Sequence, residues 1–265
     1  MSAVGVLLRH HWRRHRLPLV PMMAGLALFH FLVTRIAPAP NEASWISQML
    51  ALVPSEMLAL AGRDVGVASA SGFLAIGYGH PFTLLLLSVW AVRVSSSVLA
   101  GEIGRGTMDL MAARPVPRWQ FVMAGAVALA AGLVLLVGAA WTGTAIGLQL
   151  RDLQVPLGRV GAVAVSLWML FFAWAAIGLV IGAAQREGGT AIAWTSGVIA
   201  ASFVLEYLAR LWTPMASLHP LSLFTYYDPQ QVVRAGVHAR DVLVLGSLSA
   251  AAFAAAVVVF SRRDL

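Results

Sequence analysis

Six stretches of this chain run for 18 or more residues without an Asp, Glu, Lys or Arg: Leu17–Thr34, Val65–Val92, Trp119–Leu150, Val160–Gln185, Gly188–Leu205 and Val242–Ser261. A bilayer core of ~30 Å needs about 20 apolar residues of helix. Inside hydrocarbon the backbone must also satisfy its own hydrogen bonds. Runs of this length and number therefore predict an all-α membrane protein with six transmembrane helices. Two shorter runs fail the test. Ala43–Ser55 is too short, and Leu211–Tyr227 contains Pro214, His219 and Pro220, so it reads as a lipid-side or re-entrant segment. In the second run the spanning part should begin near Pro81, a helix-start residue, after a Gly-rich loop or interfacial helix.

Composition agrees. Sixty per cent of residues are hydrophobic and 11% are charged, against about 25% charged in a soluble domain. All 18 basic residues are arginines, and there is no lysine and no cysteine. Without lysine the chain lacks the residue that a P-loop places on phosphates and that a Schiff-base enzyme needs. Without cysteine it has no disulfide, thiolate nucleophile or cysteine-held metal. The arginines lie between apolar runs, so the net charge of +7 points to a lipid bilayer surface rather than to nucleic acid.

Arginine bias predicts the orientation. Arg9, Arg13, Arg14 and Arg16 precede the first span. A cytoplasmic amino terminus puts Arg105, Arg114, Arg118, Arg186, Arg262 and Arg263 on that same side. Arg35, Arg63, Arg151, Arg159, Arg210, Arg234 and Arg240 fall outside, with most of the acids. Both termini are then cytoplasmic, in the plasma membrane. Ala37-Pro38-Ala39 loosely resembles a signal cleavage site, but the apolar run before it is long and prolines surround it, so the first span should remain as an anchor.

The predicted plan is a single transmembrane domain over 1–265. An amphipathic elbow helix covers 1–16, and spans lie at about 17–36, 78–100, 119–150, 158–185, 188–211 and 241–261. A cytoplasmic segment covers 101–118 and an extracytoplasmic one 212–239. In the elbow, Val4, Leu7, Leu8 and Trp12 recur at helical spacing with Arg9, Arg13 and the histidines opposite, as in a helix lying in the interface. In the segment after the second span, Thr107 is an N-cap candidate, Asp109 suits the first turn, and Pro115 ends the helix at Arg114. A helix of about two turns over Met108–Ala113 would offer Met108, Leu110 and Met111 to the cytoplasm, and an exposed apolar patch calls for a partner protein.

Glu102, Gly106-Thr107, Leu110, Arg114-Pro115-Val116 and Arg118 together resemble the E-x-x-x-G-T-x-x-x-L-x-x-x-P-V-x-R stretch of type-2 ABC exporter permeases. The resemblance covers the whole chain in plan and about 17 residues in motif. In that family the stretch is the coupling helix that docks on a nucleotide-binding ATPase subunit. The resemblance thus implies docking through Glu102, Gly106, Thr107, Met108, Leu110, Met111, Arg114, Pro115 and Arg118. It also implies an elbow helix including Leu8, Arg9, Trp12 and Arg13, a second copy or homologue of the permease, and ATP and magnesium held by the ATPase rather than by this chain. One departure is Met123-Ala124-Gly125, where the family often has a lysine.

Three polar residues in the spans are candidates for the path or a gate: Arg93, within the second span, and Glu206 and Arg210, an i,i+4 pair at the outer end of the fifth. Arg93 is also near enough to the inner surface to snorkel. His30 and His80 have no companions at ligand spacing, so no metal is expected. Gly143/Gly147 and Gly178/Gly182 form G-x-x-x-G patterns, read as helix packing within the subunit. Trp12, Trp45, Trp119, Trp141, Trp168 and Trp212 fall mostly near interfaces. A membrane-embedded enzyme would need a carboxylate, histidine or serine constellation that the spans scarcely offer, so the chain is not expected to be an enzyme by itself. A secondary transporter would need midplane carboxylates; that class, and a structural anchor subunit, are the alternatives to a permease.

Overall fold

The computed structural model describes residues 3–38, 69–108, 116–151 and 153–263, and every regular element in them is helical. These are α1 (Ala3–Ile36), α2 (Ala70–Gly79), α3 (Pro81–Val98), α4 (Ala100–Gly104), α5 (Arg118–Arg151), α6 (Leu157–Ala184), α7 (Gly188–Leu211), α8 (Pro229–Ala235) and α9 (Ala239–Ser261), with tight 3-10 turns over Thr213–Leu221 and Leu223–Tyr226 before α8. Among the described residues, six helical stretches are long and apolar enough to cross a membrane: Val4–Ile36, Ala70–Val98, Arg118–Arg151, Leu157–Ala184, Gly188–Leu211 and Ala239–Ser261.

Local chemistry sets the helix ends. Proline disfavours helix at the residue before it, and His80, before Pro81, is extended at φ −68°, ψ 139°. Its Nδ1 accepts from the Phe82 amide at 3.2 Å, so one residue ends α2 and caps α3. Helix α8 starts with an Asp228 cap and Pro229 and stops at Gly236, whose φ of +86° suits glycine. Three arginines close helix ends by donating to the last carbonyls. Arg118 bonds Phe260, Ser261 and Arg263, Arg263 bonds Ala183 and Gln185 at 2.7 Å each, and Arg151 bonds Arg35 and Ala37.

Helices α5 and α6 form the centre, with 61% of their apolar windows buried inside the molecule, against 22% for α1, α7 and α9. Helix α7 turns mainly small or polar residues inward and large apolar ones outward, whereas α1 and α9 also bury Leu19, Leu26, Leu245 and Phe260. In α7 the inner stripe is Ala191, Thr195, Ile199, Ser202, Glu206 and Ala209, while Trp194, Val204 and Tyr207 are exposed. Lipid is as apolar as leucine, so close packing of small residues drives association here. Both glycine pairs serve that packing within the chain, as expected. A Cβ on Gly143 would overlap the Ala27 carbonyl of α1, and one on Gly147 would lie 2.6 Å from Thr34 Cβ. Gly178 and Gly182 face Ser95 of α3 in the same way.

Three expectations change. First, no break separates elbow from span: α1 is continuous from Ala3 to Ile36, with Pro18 and Pro21 inside it. Its 34 residues make about 51 Å of helix, which still rises ~39 Å at the 40° upper limit of tilt, so one end stands beyond the hydrocarbon. Second, two of the three histidines, His11 and His15, are not on the outward face, whereas His10 is. Leu7, His11, His15 and Leu19 are buried, spaced four apart, and Trp12 is exposed. The packed face follows the protein beneath it: His15 Nε2 meets Ser97 Oγ at 3.0 Å and its ring lies edge-on to Trp90. Third, of loop and helix, the Gly-rich stretch before Pro81 forms the helix α2, and the second candidate span starts with it at Ala70 rather than near Pro81.

The glycine contacts predict a sharp contrast between neighbouring substitutions. Gly143→Val should lower stability by about 1–3 kcal/mol through overpacking, whereas Gly138→Ala, in open space, should leave it unchanged. Thermal unfolding of the two purified variants in the same detergent checks this.

Candidate functional site

The end of the bundle that carries both termini is organised around one buried carboxylate. Glu102, 1% exposed, lies in α4 just past the second span. Its Oε1 takes Arg14 at 3.0 Å, Arg105 at 2.8 Å and His10 at 3.4 Å. Its other oxygen receives the Thr107 hydroxyl, which also donates to the Glu102 carbonyl at 3.0 Å. Gly106, at φ +68°, makes this possible: only a left-handed residue turns the chain so tightly. The turn brings Thr107 back onto Glu102 and tucks Met108 into the core, fully buried. Burial alone would raise the Glu102 carboxyl, but the Thr107 hydroxyl, Arg105 and Arg14 outweigh it and hold the group below its ordinary 4.5.

Of the docking residues inferred from the sequence, Glu102, Gly106, Thr107, Met108 and Arg118 lie among the described residues. Glu102 and Met108 are buried, and the Thr107 hydroxyl donates to Glu102. Gly106 is exposed, and Arg118 holds the end of α9. Leu110, Met111, Arg114 and Pro115 lie outside the described residues. Of the elbow residues, Arg9, Trp12 and Arg13 are exposed and Leu8 is half-buried. The polar contacts are made by their neighbours His10 and Arg14. An i,i+4 histidine pair between Leu7 and Leu19 was the available signal for this face, since that spacing marks one side of a helix.

Arg93 lies on the wall of a cleft of about 770 Å³ between α3 and α7. The cleft is lined mainly by Leu, Ile, Val and Phe side chains, with Ser88 and Ser196. Towards the other end of the bundle, Pro81, Leu84, Phe203 and Phe224 also line a second cavity of about 910 Å³. Phe203 and Phe224, edge to face at 5.4 Å, stand between the two. The second cavity is polar, with His80, Glu206, Arg210, His219 and Asp228 on its wall.

Glu206 is the centre of that end. The expected pair is present, with Arg210 Nε donating to Oε1 at 2.8 Å, and two partners join it. His219 Nε2 lies 3.0 Å from the same oxygen and the Thr225 hydroxyl donates to the other at 2.7 Å. Both come from the 3-10 turns, which Ser202 and Ser222 tie to α7. The expected path residues thus occupy two connected places: Arg93 in the apolar cleft, and Glu206 with Arg210 in the polar cavity above it.

His30 and His80 are not brought together with further ligands, and among the described residues no group of three His, Cys, Asp or Glu could hold a metal. His30 is buried between Tyr78, 4.3 Å away ring to ring, and Thr83, at 3.2 Å.

A family model, the ABC-2 family transporter protein, matches residues 24–265. The chain belongs to the ABC-2 transporter family. No curated protein matches it. The match covers the last part of the first span and the whole of the other five, with Glu102, Arg93 and Glu206, but leaves out His10 and Arg14. As an ABC-2 protein the chain is a multi-pass membrane component of a transporter and not itself a catalyst.

The Glu102 junction should be pH-sensitive with a definite sign. Its carboxyl is held below the ordinary value, so its stabilisation is present above about pH 4.5 and is lost as pH falls through the lowered value of the folded state. Wild type should exceed Glu102→Gln by about 2 kcal/mol at pH 7, and the two should converge in acid. Thermal unfolding of both proteins across that pH range is the measurement.

Proposed function

We propose that this ABC-2 protein is the permease subunit of an ATP-binding cassette exporter, driven by separate ATPase subunits that bind ATP and magnesium. A second copy, or a homologue, completes the translocation path. The protein lies in the plasma membrane with both termini in the cytoplasm, which puts the Glu102 junction on the ATPase side and Glu206 on the exit side.

The observation that carries this reading is the Glu102 junction. One carboxylate joins α1, through His10 and Arg14, to the turn at Thr107 that leads into 108–118. A push on that segment by a closing ATPase pair would reach the first span through these bonds, and the second through α4. Movement of helices as rigid bodies is the common form of such coupling. Lack of lysine supports the need for a separate ATPase, since the chain holds no P-loop of its own. The stacked cavities along α3 and α7 supply the path: an apolar cleft below, a phenylalanine pair between, and a polar chamber held by Glu206 above. An ion-coupled carrier is less well supported. Glu206, the buried carboxylate within the described spans, is engaged by three partners and leaves little room for a coupling ion.

The docking role rests on Leu110 and Met111, with Gly106, Arg114 and Pro115 around them. Affinity purification of the tagged protein from its own cells should bring down an ATP-binding subunit. Leu110→Arg with Met111→Glu should reduce that capture by about tenfold or more, the effect expected when a buried apolar anchor is replaced by charge. If capture by the double variant equals wild type, the docking assignment is wrong.

A further inference from the structure

The cleft between α3 and α7 pairs long apolar walls with a single charged group. Leu85, Val89, Val92, Ile192, Ile199 and Phe203 supply the walls, and the lining contains no Asp or Glu. Arg93 lies 12 residues after Pro81, which places it ~18 Å along α3, at the cleft's end nearest the termini. Six other arginines are engaged: Arg14 and Arg105 on Glu102, Arg210 on Glu206, and Arg118, Arg151 and Arg263 on helix carbonyls. Arg93 makes no hydrogen bond or ion pair among the described residues, and its side chain is exposed to the cleft. The hydroxyl of Ser88, also on the wall, already donates to the Leu84 carbonyl at 2.8 Å. A cation or a neutral polyol would meet few partners here.

We propose that this cleft takes an amphipathic anion. Its single apolar chain or ring system lies along the α3 and α7 walls, and its phosphate, sulfate or carboxylate head meets the Arg93 guanidinium. The guanidinium fork matches such oxyanions in two parallel hydrogen bonds, and the low-polarity walls strengthen the attraction. The volume of about 770 Å³ falls in the range of small-molecule sites and suits one chain rather than a polymer. This assignment rests on the permease reading, because it names the cargo class of the path proposed above.

The test uses the full chain in nanodiscs of zwitterionic phosphatidylcholine with a dansyl-labelled fatty acid as reporter. Dodecyl phosphate should displace the reporter at about tenfold lower concentration than dodecyltrimethylammonium or dodecyl maltoside, the effect of one charge-assisted hydrogen-bonded pair. Arg93→Gln should abolish that preference, Arg93→Lys should retain most of it, and Ile199→Trp, which fills the wall, should weaken all three amphiphiles alike. Unfolding temperature is followed for each variant. An undiminished anion preference in a folded Arg93→Gln protein overturns the proposal. So does displacement by inorganic phosphate alone as effective as dodecyl phosphate, or loss of reporter binding when phosphatidylglycerol is added to the disc, which would mark a resident bilayer lipid. ATPase capture is measured in parallel. In the wild-type protein, absence of an anion preference with capture intact removes the cargo class alone, and absence of capture with the anion preference intact removes the ATPase coupling alone.

Discussion

Close backbone approach at glycine holds this bundle together. In water a helix is driven onto its neighbours by burying apolar surface, but in a membrane the lipid competes for that surface on equal terms. What remains is packing distance. Gly143 and Gly147 let α1 reach the backbone of α5, and Gly178 and Gly182 let α3 reach α6. Trp90 lies flat against Gly132 for the same reason and donates its indole N–H to the Leu129 carbonyl. With α1 and α3 fixed to the central pair, the large side chains of α7 and α9 are left for lipid or a partner subunit. The cleft beside α7 follows from the same arrangement, because α7 buries only one stripe, Ala191, Thr195, Ile199, Ser202, Glu206 and Ala209.

The two buried carboxylates extend this frame into function. Glu102 and Glu206 stand at opposite ends of the bundle, each almost fully buried and each ringed by a histidine, a threonine and arginine, two arginines at Glu102 and one at Glu206. Each also ties a span to a non-spanning segment: the Thr107 turn at one end and the 3-10 turns at the other. Removing one partner would leave a buried charge with its desolvation uncompensated, a large penalty. Both ends are therefore held in one arrangement until something shifts the whole cluster. A transporter needs that property, in which movement of a connecting segment moves a span with it rather than slipping past it.

The spans were legible in the sequence because a charge-free run needs no tertiary information, and the third, expected at about 119–150, forms over Arg118–Arg151. The second was harder. Its first half, Ala70–Gly79, looks like loop by glycine content, but Gly77 is there because Val33 of α1 packs against it, a contact no local rule contains. The sites divide along the same line. Glu206 and Arg210 are four residues apart and could be paired on paper, while His219 and Thr225 reach them only through the 3-10 turns. The motif singled out Glu102 but not its task, since His10 and Arg14 lie far back along the chain. His11 and His15 were assigned to the wrong face, while exposed His10 was not, because charge alone was used to sort α1. An imidazole packs as an aromatic ring when a hydroxyl such as that of Ser97 meets its nitrogen.

The absence of lysine takes on a structural meaning beyond the missing P-loop. A helix ends with carbonyls that have no partner within it, and a helix end in a crowded membrane interface has few waters to spare. A guanidinium carries five donors in a flat fork and so can satisfy two or three carbonyls at once, whereas an ammonium is a compact point charge that holds its own water tightly. Arg118, Arg151 and Arg263 each bond more than one carbonyl, and Arg118 and Arg263 link α5 to α9 and α9 to α6 in series. Lysine in these places would keep the charge but lose the multiple bonds, and with them the stitching of neighbouring helix ends. Arg93 has no such carbonyls to hold. Its fork is left pointing at a cleft, and that difference in surroundings, rather than its charge alone, separates it from the arginines that build the fold.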